Sequence, residues 1–292
     1  MSQHDNLQRF LFDGAPVRGA LVRMDGAWQQ VLARHDYPPA IRQVLGQMLA
    51  ASSLLAANLK FDGTLIMQLH GKGALRLAVA ECTNERTVRA TARYDAHIHD
   101  APLAELLGEG GTCVLTLEPK DGEPWQGIVA LEGDSIAAML QHYMQRSEQL
   151  DSRLILACND ETAAGLLLQR LPDGHGDPDA WQHLTVLADT LRPDELLGLP
   201  AHDILHRLYH EETVRVFEPQ AVSFACNCSE ERVGEMLKLL GGQEVAEVVL
   251  EQGSIEVGCE YCGQRYVFDE DDVNQLFGMD VIGAMRSEAP RH

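Results

Sequence analysis

Four cysteines in the last third of the 292-residue chain restrict its fold more than any other feature. Cys226 and Cys228 form a C-x-C pair, and Cys259 and Cys262 form a C-x-x-C pair. Thirty residues, Ser229 to Gly258, separate the two pairs. A thiol pair at such spacing can set two sulfurs on one side of a turn, and two pairs supply the four-thiolate tetrahedral shell of a structural zinc ion. In Cys259-Glu-Tyr-Cys262-Gly263 the glycine stands where the chain leaves the turn, and it predicts a positive φ. The C-x-C half allows a second chemistry, because a disulfide across one residue closes a small, strained ring, and strained disulfides are the labile ones. Spacing therefore leaves two readings open: a permanent zinc ribbon, or a switch whose sulfurs either hold metal or oxidise. A thioredoxin-like redox motif fits poorly. Such a motif opens a helix, whereas Cys262 leads into a strand-like stretch, Gln264 to Phe268.

Compartment and charge narrow the choice. The opening MSQHDNLQRF lacks a signal-peptide pattern, and no apolar run reaches the ~18 residues of a membrane span. The expectation is a cytosolic protein, and in that reducing compartment seven cysteines are not a disulfide scaffold. Residues 171–292 hold 24 acidic and 8 basic side chains, so most of the net charge of −21 falls in the half that carries the cysteine pairs. A ribbon that gripped nucleic acid would need a basic face to displace counterions; this one is acidic, which argues against a nucleic-acid partner. The chain has no P-loop, no G-x-S-x-G elbow and no G-x-G-x-x-G, so neither a nucleotide nor a catalytic constellation is expected. Four thiolates also close the zinc shell and leave no position for substrate. The reading is non-enzymatic.

Along the chain, strand-like runs at Arg9–Phe12, Val17–Met24, Thr64–His70, Leu75–Cys82, Val88–Tyr94, Cys113–Leu117, Gln126–Leu131, Leu154–Cys158 and Gly165–Leu171 alternate with turns. Helices are predicted at Trp28–His35, Ala40–Leu59 and Ser135–Leu150. Strands come first and helices are interspersed, which argues for an α+β fold with a mixed-sheet N-terminal domain over 1–171. Turn formers and acidic residues at 171–179 mark a boundary. Beyond it, Asp177 is placed as a cap and Pro178 at the first helical position, with Trp181, Leu184, Leu187, Ala188 and Leu191 as an apolar stripe. Pro193 and Pro200 interrupt the pattern before a further short helix through Ile204, Leu205 and Leu208. This stretch, 172–218, reads as an acidic helical linker. Its helices are too short to stand alone in water and need something to pack on. The remainder, 219–292, is the small four-cysteine zinc domain, with a helix capped by Ser229 whose Val233, Met236, Leu237 and Leu240 face one way.

Other candidates read as structure. His202, His206 and His210 recur every four residues and line one helix face; a solvated face accounts for them better than a metal site. Cys82, Cys113 and Cys158 lie in apolar strand-like runs and read as small core residues.

The stretch Glu218-Pro-Gln-Ala-Val-Ser-Phe-Ala-Cys-Asn-Cys-Ser-Glu-Glu-Arg-Val233, with Cys259-Glu-Tyr-Cys-Gly263 downstream, closely resembles the bacterial redox-regulated 33 kDa chaperonin family. His142-Tyr-Met-Gln-Arg-Ser-Glu-Gln-Leu150, Gln126-Gly-Ile-Val-Ala-Leu-Glu132 and Leu77-Ala-Val-Ala-Glu-Cys82 extend the resemblance over essentially the whole chain. It implies an ATP-independent holdase that captures unfolding client proteins. In the reduced state Cys226, Cys228, Cys259 and Cys262 would hold one zinc per chain and the protein would be idle. The resemblance further implies that oxidation pairs Cys226 with Cys228 and Cys259 with Cys262, releases the metal, unfolds the C-terminal domain and frees the linker. Trp181, Leu184, Leu187, Leu191, Ile204, Leu205 and Leu208 would then meet clients, in a homodimer. The alternative from another class is a constitutive zinc-ribbon adaptor.

Overall fold

Pro39–Ala56 carries apolar or small side chains around most of its circumference, the mark of a helix with no solvent face. In the computed structural model, which describes residues 5–59, 62–172, 179–278 and 282, this stretch is helix α2, following the short α1 (Gly26–Leu32). It lies between two six-stranded sheets and packs on strands of both. The first sheet runs in the order β10 (Val214–Val216), β1 (Asn6–Phe12), β2 (Val17–Met24), β9 (Ala163–Arg170), β8 (Ser152–Cys158), with β11 (Gln220–Ala221) also paired to β1. The second runs β12 (Ser223–Phe224), β5 (Thr87–Tyr94), β4 (Leu75–Thr83), β3 (Gly63–His70), β6 (Thr112–Pro119), β7 (Trp125–Val129). All pairings are antiparallel except β12 with β5. The α+β expectation holds, and the strand assignments of the first 171 residues match these elements to within a few residues at their ends.

The inner core joins Trp28, Ile41, Leu45, Met48, Leu49 and Leu54 to inward residues of both sheets, Cys82 and Cys113 among them. Cys158 belongs to the same core, so all three N-terminal cysteines are core residues as expected. Gly46 is what lets α2 approach β8: a Cβ there would lie 2.1 Å from the Cys158 sulfur. Of two further helices, α3 (Leu103–Leu107) packs on β4 of the second sheet, and α4 (Ile136–Arg146) packs chiefly on β8 of the first sheet and also meets β7 of the second. Ser135 caps α4 by accepting the Ala138 N–H at 3.1 Å.

The outer face of the first sheet is the other apolar surface of this unit, and three short helices cover it: α5 (Ala180–Ala188), α6 (Pro193–Gly198) and α7 (Ala201–Tyr209). Leu184, Leu191, Ile204, Leu205 and Leu208 are buried there against Phe10, Phe12, Val17, Leu21, Leu166 and Leu168, with Trp181 and Leu187 half-buried at the margin. Pro193 opens α6 and Pro200 caps α7, so the prolines punctuate helices as the sequence suggests. The Asp177 and Pro178 cap lies outside the described residues. Arg207 bridges to Glu195 at 2.7 Å and ties α7 to α6, while Arg153 on β8 pairs with Asp189 at the end of α5.

Contacts divide the chain between Ala225 and Cys226 into two compact units. The second contains α8 (Glu230–Leu240), α9 (Gly242–Gln252), the hairpin β13 (Ile255–Gly258) and β14 (Arg265–Phe268), and α10 (Glu270–Phe277). Among the described residues its core is small: Leu237, Val245, Ala246, Val249, Phe268, Val273 and Ile282, with half-buried neighbours such as Val233 and Tyr266. Of the expected α8 face, Leu237 is buried and Val233 half-buried, whereas Met236 and Leu240 are 43% and 53% exposed. Three short helices and a two-stranded hairpin cannot cover a whole apolar stripe, so its edge stays in solvent. Within this unit, α9 and α10 go beyond what the sequence predicts. Among the described residues no helix is long and apolar enough to cross a membrane.

Candidate metal centre

The site is assembled from two local structures. The first pair, Cys226-Asn-Cys228, sits immediately before the N-terminus of α8, where Ser229 accepts the Arg232 N–H at 3.3 Å. That helix end favours negative charge on the adjacent sulfurs. The second pair lies on the loop between β13 and β14. There the Gly263 N–H donates to the Cys259 carbonyl and the Cys259 N–H to the Gln264 carbonyl, both at 2.8 Å. Gly263 has φ +72°, the left-handed conformation expected of it. The turn folds Cys259 and Cys262 to one side, as a zinc knuckle requires.

The four sulfurs all lie within 4.8 Å of one another, with 3.6 Å between Cys226 and Cys259 and 3.3 Å between Cys228 and Cys262. A tetrahedron with Zn–S of about 2.3 Å has edges of about 3.8 Å, so this donor set fits a four-coordinate thiophilic ion with small adjustment. All seven cysteines are free thiols. Among the described residues these four form the one cluster of histidine, cysteine or carboxylate side chains close enough to share a metal ion.

The thiols are not equivalent. Partial burial pushes Cys262 up to about 12, with its neighbouring cysteines adding to the rise, and burial raises Cys226 as well. At Cys228 burial also pushes upward, but the Tyr266 hydroxyl, which donates to its sulfur at 3.2 Å, and the other three thiols outweigh it and bring it down to about 7. Tyr266 is the functional side chain that sequence reasoning misses. Its position in the strand-like run after Cys262 is the available signal, since the hairpin sets it opposite Val257 and turns it toward the loop. By contrast Cys82, Cys113 and Cys158 are buried and each pushed up to about 12 by desolvation, which leaves them poor nucleophiles.

The remaining candidates separate cleanly. His202, His206 and His210 do line one exposed face of α7, with ring centroids 6.4 and 6.0 Å apart. The apolar stripe from Trp181 to Leu208 is gathered on one surface, against the first sheet. Tyr209 belongs to that surface too: fully buried, it donates to the Leu184 carbonyl at 3.3 Å. A search for aliphatic periodicity alone does not include it.

Comparison with known proteins agrees with this architecture. A 33 kDa chaperonin of Chromobacterium violaceum is 66% identical over 288 residues, covering 98% of each chain. One from Neisseria meningitidis serogroup A is 55% identical over 295 residues, covering all of this chain and 97% of the relative. The crystal structure of a 33 kDa chaperonin (heat shock protein 33 homolog) from Thermotoga maritima superposes with a TM-score of 0.81 at 25% identity, covering 94% of this chain and 98% of that one. The family model described as Hsp33 protein matches residues 5–269, a span that takes in both sheets, the covering helices and all four clustered cysteines, and the chain belongs to that family.

Proposed function

We propose that this protein is a redox-regulated, ATP-independent holdase: idle while its four clustered thiols hold one zinc ion, and active toward unfolding proteins once those thiols are oxidised. The observation that carries the reading is the convergence of four sulfurs, within 4.8 Å of one another, in a unit whose own apolar core is small. When bound, zinc supplies no redox chemistry; it holds the sulfurs as thiolates and ties the two cysteine pairs together. Structural zinc is worth about 10–16 kcal/mol to small domains, against a net domain stability of about 5–15 kcal/mol. A unit with so few buried side chains depends on that contribution.

Oxidation acts on sulfur. A thiolate attacks peroxide to give a sulfenic acid and hydroxide, and a second cysteine displaces water to close the disulfide. Per disulfide, two thiols and one peroxide give one S–S bond and two waters. Pairing Cys226 with Cys228 and Cys259 with Cys262 removes all four donors, and these small loops return little stability. In the reduced arrangement the crossing pairs Cys226–Cys259 and Cys228–Cys262 also lie close, at 3.6 and 3.3 Å, so mapping the disulfides discriminates between local and crossing closure.

The route from the sulfurs to the client surface runs through the chain just before them. β10 and β11 pair with β1, β12 pairs with β5, and the Ala225 N–H donates to the Val88 carbonyl at 3.3 Å. These are short edge pairings with few hydrogen bonds, and they hold the segment that joins α7 to Cys226. Unfolding of the C-terminal unit releases its end, and α5 to α7 follow from the first sheet. That exposes Leu184, Leu191, Ile204, Leu205 and Leu208 together with the Phe10, Phe12 and Leu166 face they cover. The packing partner of the stripe is thus the sheet, and dimerisation of the oxidised form enlarges the exposed surface. The activity belongs to the cytoplasm, with no nucleotide, nucleic acid or membrane partner.

Limited proteolysis with disulfide mapping tests the coupling. Peroxide-treated protein is expected to be cut within 180–217 while the two-sheet body stays intact. Oxidised protein that keeps this stretch as resistant as in the reduced form would overturn the coupling. The adaptor reading draws on Leu239, 89% exposed on α8 beside Met236 and Leu240; it requires binding to a partner in the reduced, zinc-loaded state.

A further inference from the structure

A cavity of about 340 Å³ opens where the end of α2, strands β3 and β6, and helix α4 meet. Leu55, Leu65, Leu115, Leu117 and Met144 form its walls, and Trp125 stands at the rim, 45% exposed. Its size falls at the low end of small-molecule sites, about 300–1,000 Å³. One polar edge interrupts the apolar lining. There the half-buried Arg18 donates through Nε and Nη2 to the Gln169 side-chain oxygen at 3.1 and 2.8 Å, a neutral acceptor that Asn58 also uses.

A second hollow shares Arg18, Asn58 and Leu59 with the first and adds Arg9. In the β1–β2 register Leu11 faces Arg18, so Arg9, two residues from Leu11, projects from the same side of the sheet. Arg9 rests over the Phe217 ring, 5.8 Å from its centroid. Among the described residues neither guanidinium has a carboxylate within ion-pair distance. Glu148, the one acid on the lining, already accepts the Tyr143 hydroxyl at 2.9 Å.

We propose that this cavity binds a free medium-chain carboxylate, its alkyl tail among the leucines and its anionic end on Arg18, with Arg9 at the mouth. A planar guanidinium suits a carboxylate, and the volume suits one short chain rather than the paired tails of a phospholipid.

The test is calorimetric titration of the full-length, reduced, zinc-loaded protein with decanoate below its micelle concentration, beside decanol. Decanoate is expected to bind at one saturable site and to change Trp125 fluorescence. Decanol and the Arg18→Met variant are each expected to show affinity lower by about tenfold or more, the size of a charged hydrogen bond. Should Arg18→Met fail to fold, the exposed Arg9→Gln carries the comparison, with a loss of about two- to fivefold. Absence of saturable decanoate binding, or equal affinity in the folded arginine variants, overturns the proposal. Decanol binding as tightly as decanoate does so too, because it makes the cavity a plain apolar groove.

Discussion

The ring of Tyr209, the last residue of α7, stands edge-on to Phe12 of β1, with centroids 4.9 Å apart and planes at 86°. Phe12 in turn meets Phe10 edge-on at 5.7 Å. This aromatic contact ties the covering helices to the sheet, and such pairs add about 0.5–1.5 kcal/mol beyond the area they bury. Tyr209→Ala is therefore expected to loosen the cover by about 3 kcal/mol or more. The reduced, zinc-loaded variant should bind a hydrophobic dye and partly suppress client aggregation without any oxidant. A variant that stays dark to the dye and idle when reduced would show that the cover does not mask the client surface.

Thiol reactivity should follow the environments of the seven cysteines. In metal-depleted protein Cys228, brought down to about 7, forms its thiolate ahead of Cys226 and Cys262 as pH rises, so its alkylation by iodoacetamide should accelerate through pH 6–8. Cys262, raised to about 12, should lag, and Cys82, Cys113 and Cys158 should stay unlabelled until the protein is denatured. Peptide mass spectrometry against time reads the order directly, and early labelling of any core cysteine would contradict it.

How much of this is visible in the residues depends on where the stabilising contacts come from. The strands of β1 to β9 announce themselves through alternation and turn residues, and α2 through its Ala, Leu and Met content. The cysteine spacing likewise gives the four-thiol cluster, because each pair is set by a local turn. Helix α9 is hidden. Val245, Val248 and Val249 after Gly241-Gly242 look strand-like, and the helix holds because Val245, Ala246 and Val249 fill the small core. Helix α10 hides behind its acidity, although Asp269 and Asp272 form a reciprocal cap and the acidic first turn complements the helix dipole. What covers the linker stripe is a tertiary fact, and no pattern within 172–218 points to the outer face of the first sheet.

Tyr266→Phe removes one hydrogen-bond donor from the cysteine cluster and nothing else of size. Cys228 should lose acidity in the metal-free protein, and its alkylation at pH 7 should slow by about tenfold, the effect of one hydrogen bond to a charged sulfur. Unchanged alkylation kinetics would assign the Tyr266 hydroxyl no part in tuning the site.

Gly46→Ala should destabilise the two-sheet unit by about 1–3 kcal/mol, because the new methyl would meet the Cys158 sulfur at 2.1 Å and its Cβ at 2.9 Å. Adding Cys158→Ala removes the closer contact and should restore part of the loss in urea denaturation. The double variant should still respond to peroxide, since Cys158 lies in the core, outside the cysteine cluster.

Zinc content and holdase activity, measured on the same samples, put the central claim to its most direct test. Protein from reducing buffer should carry one tightly held zinc per chain and leave the light scattering of a heat-unfolded client unchanged. After peroxide and mild heat, the zinc should be gone and scattering suppressed. Reduced protein without zinc, or equal suppression with the zinc still in place, would contradict the account.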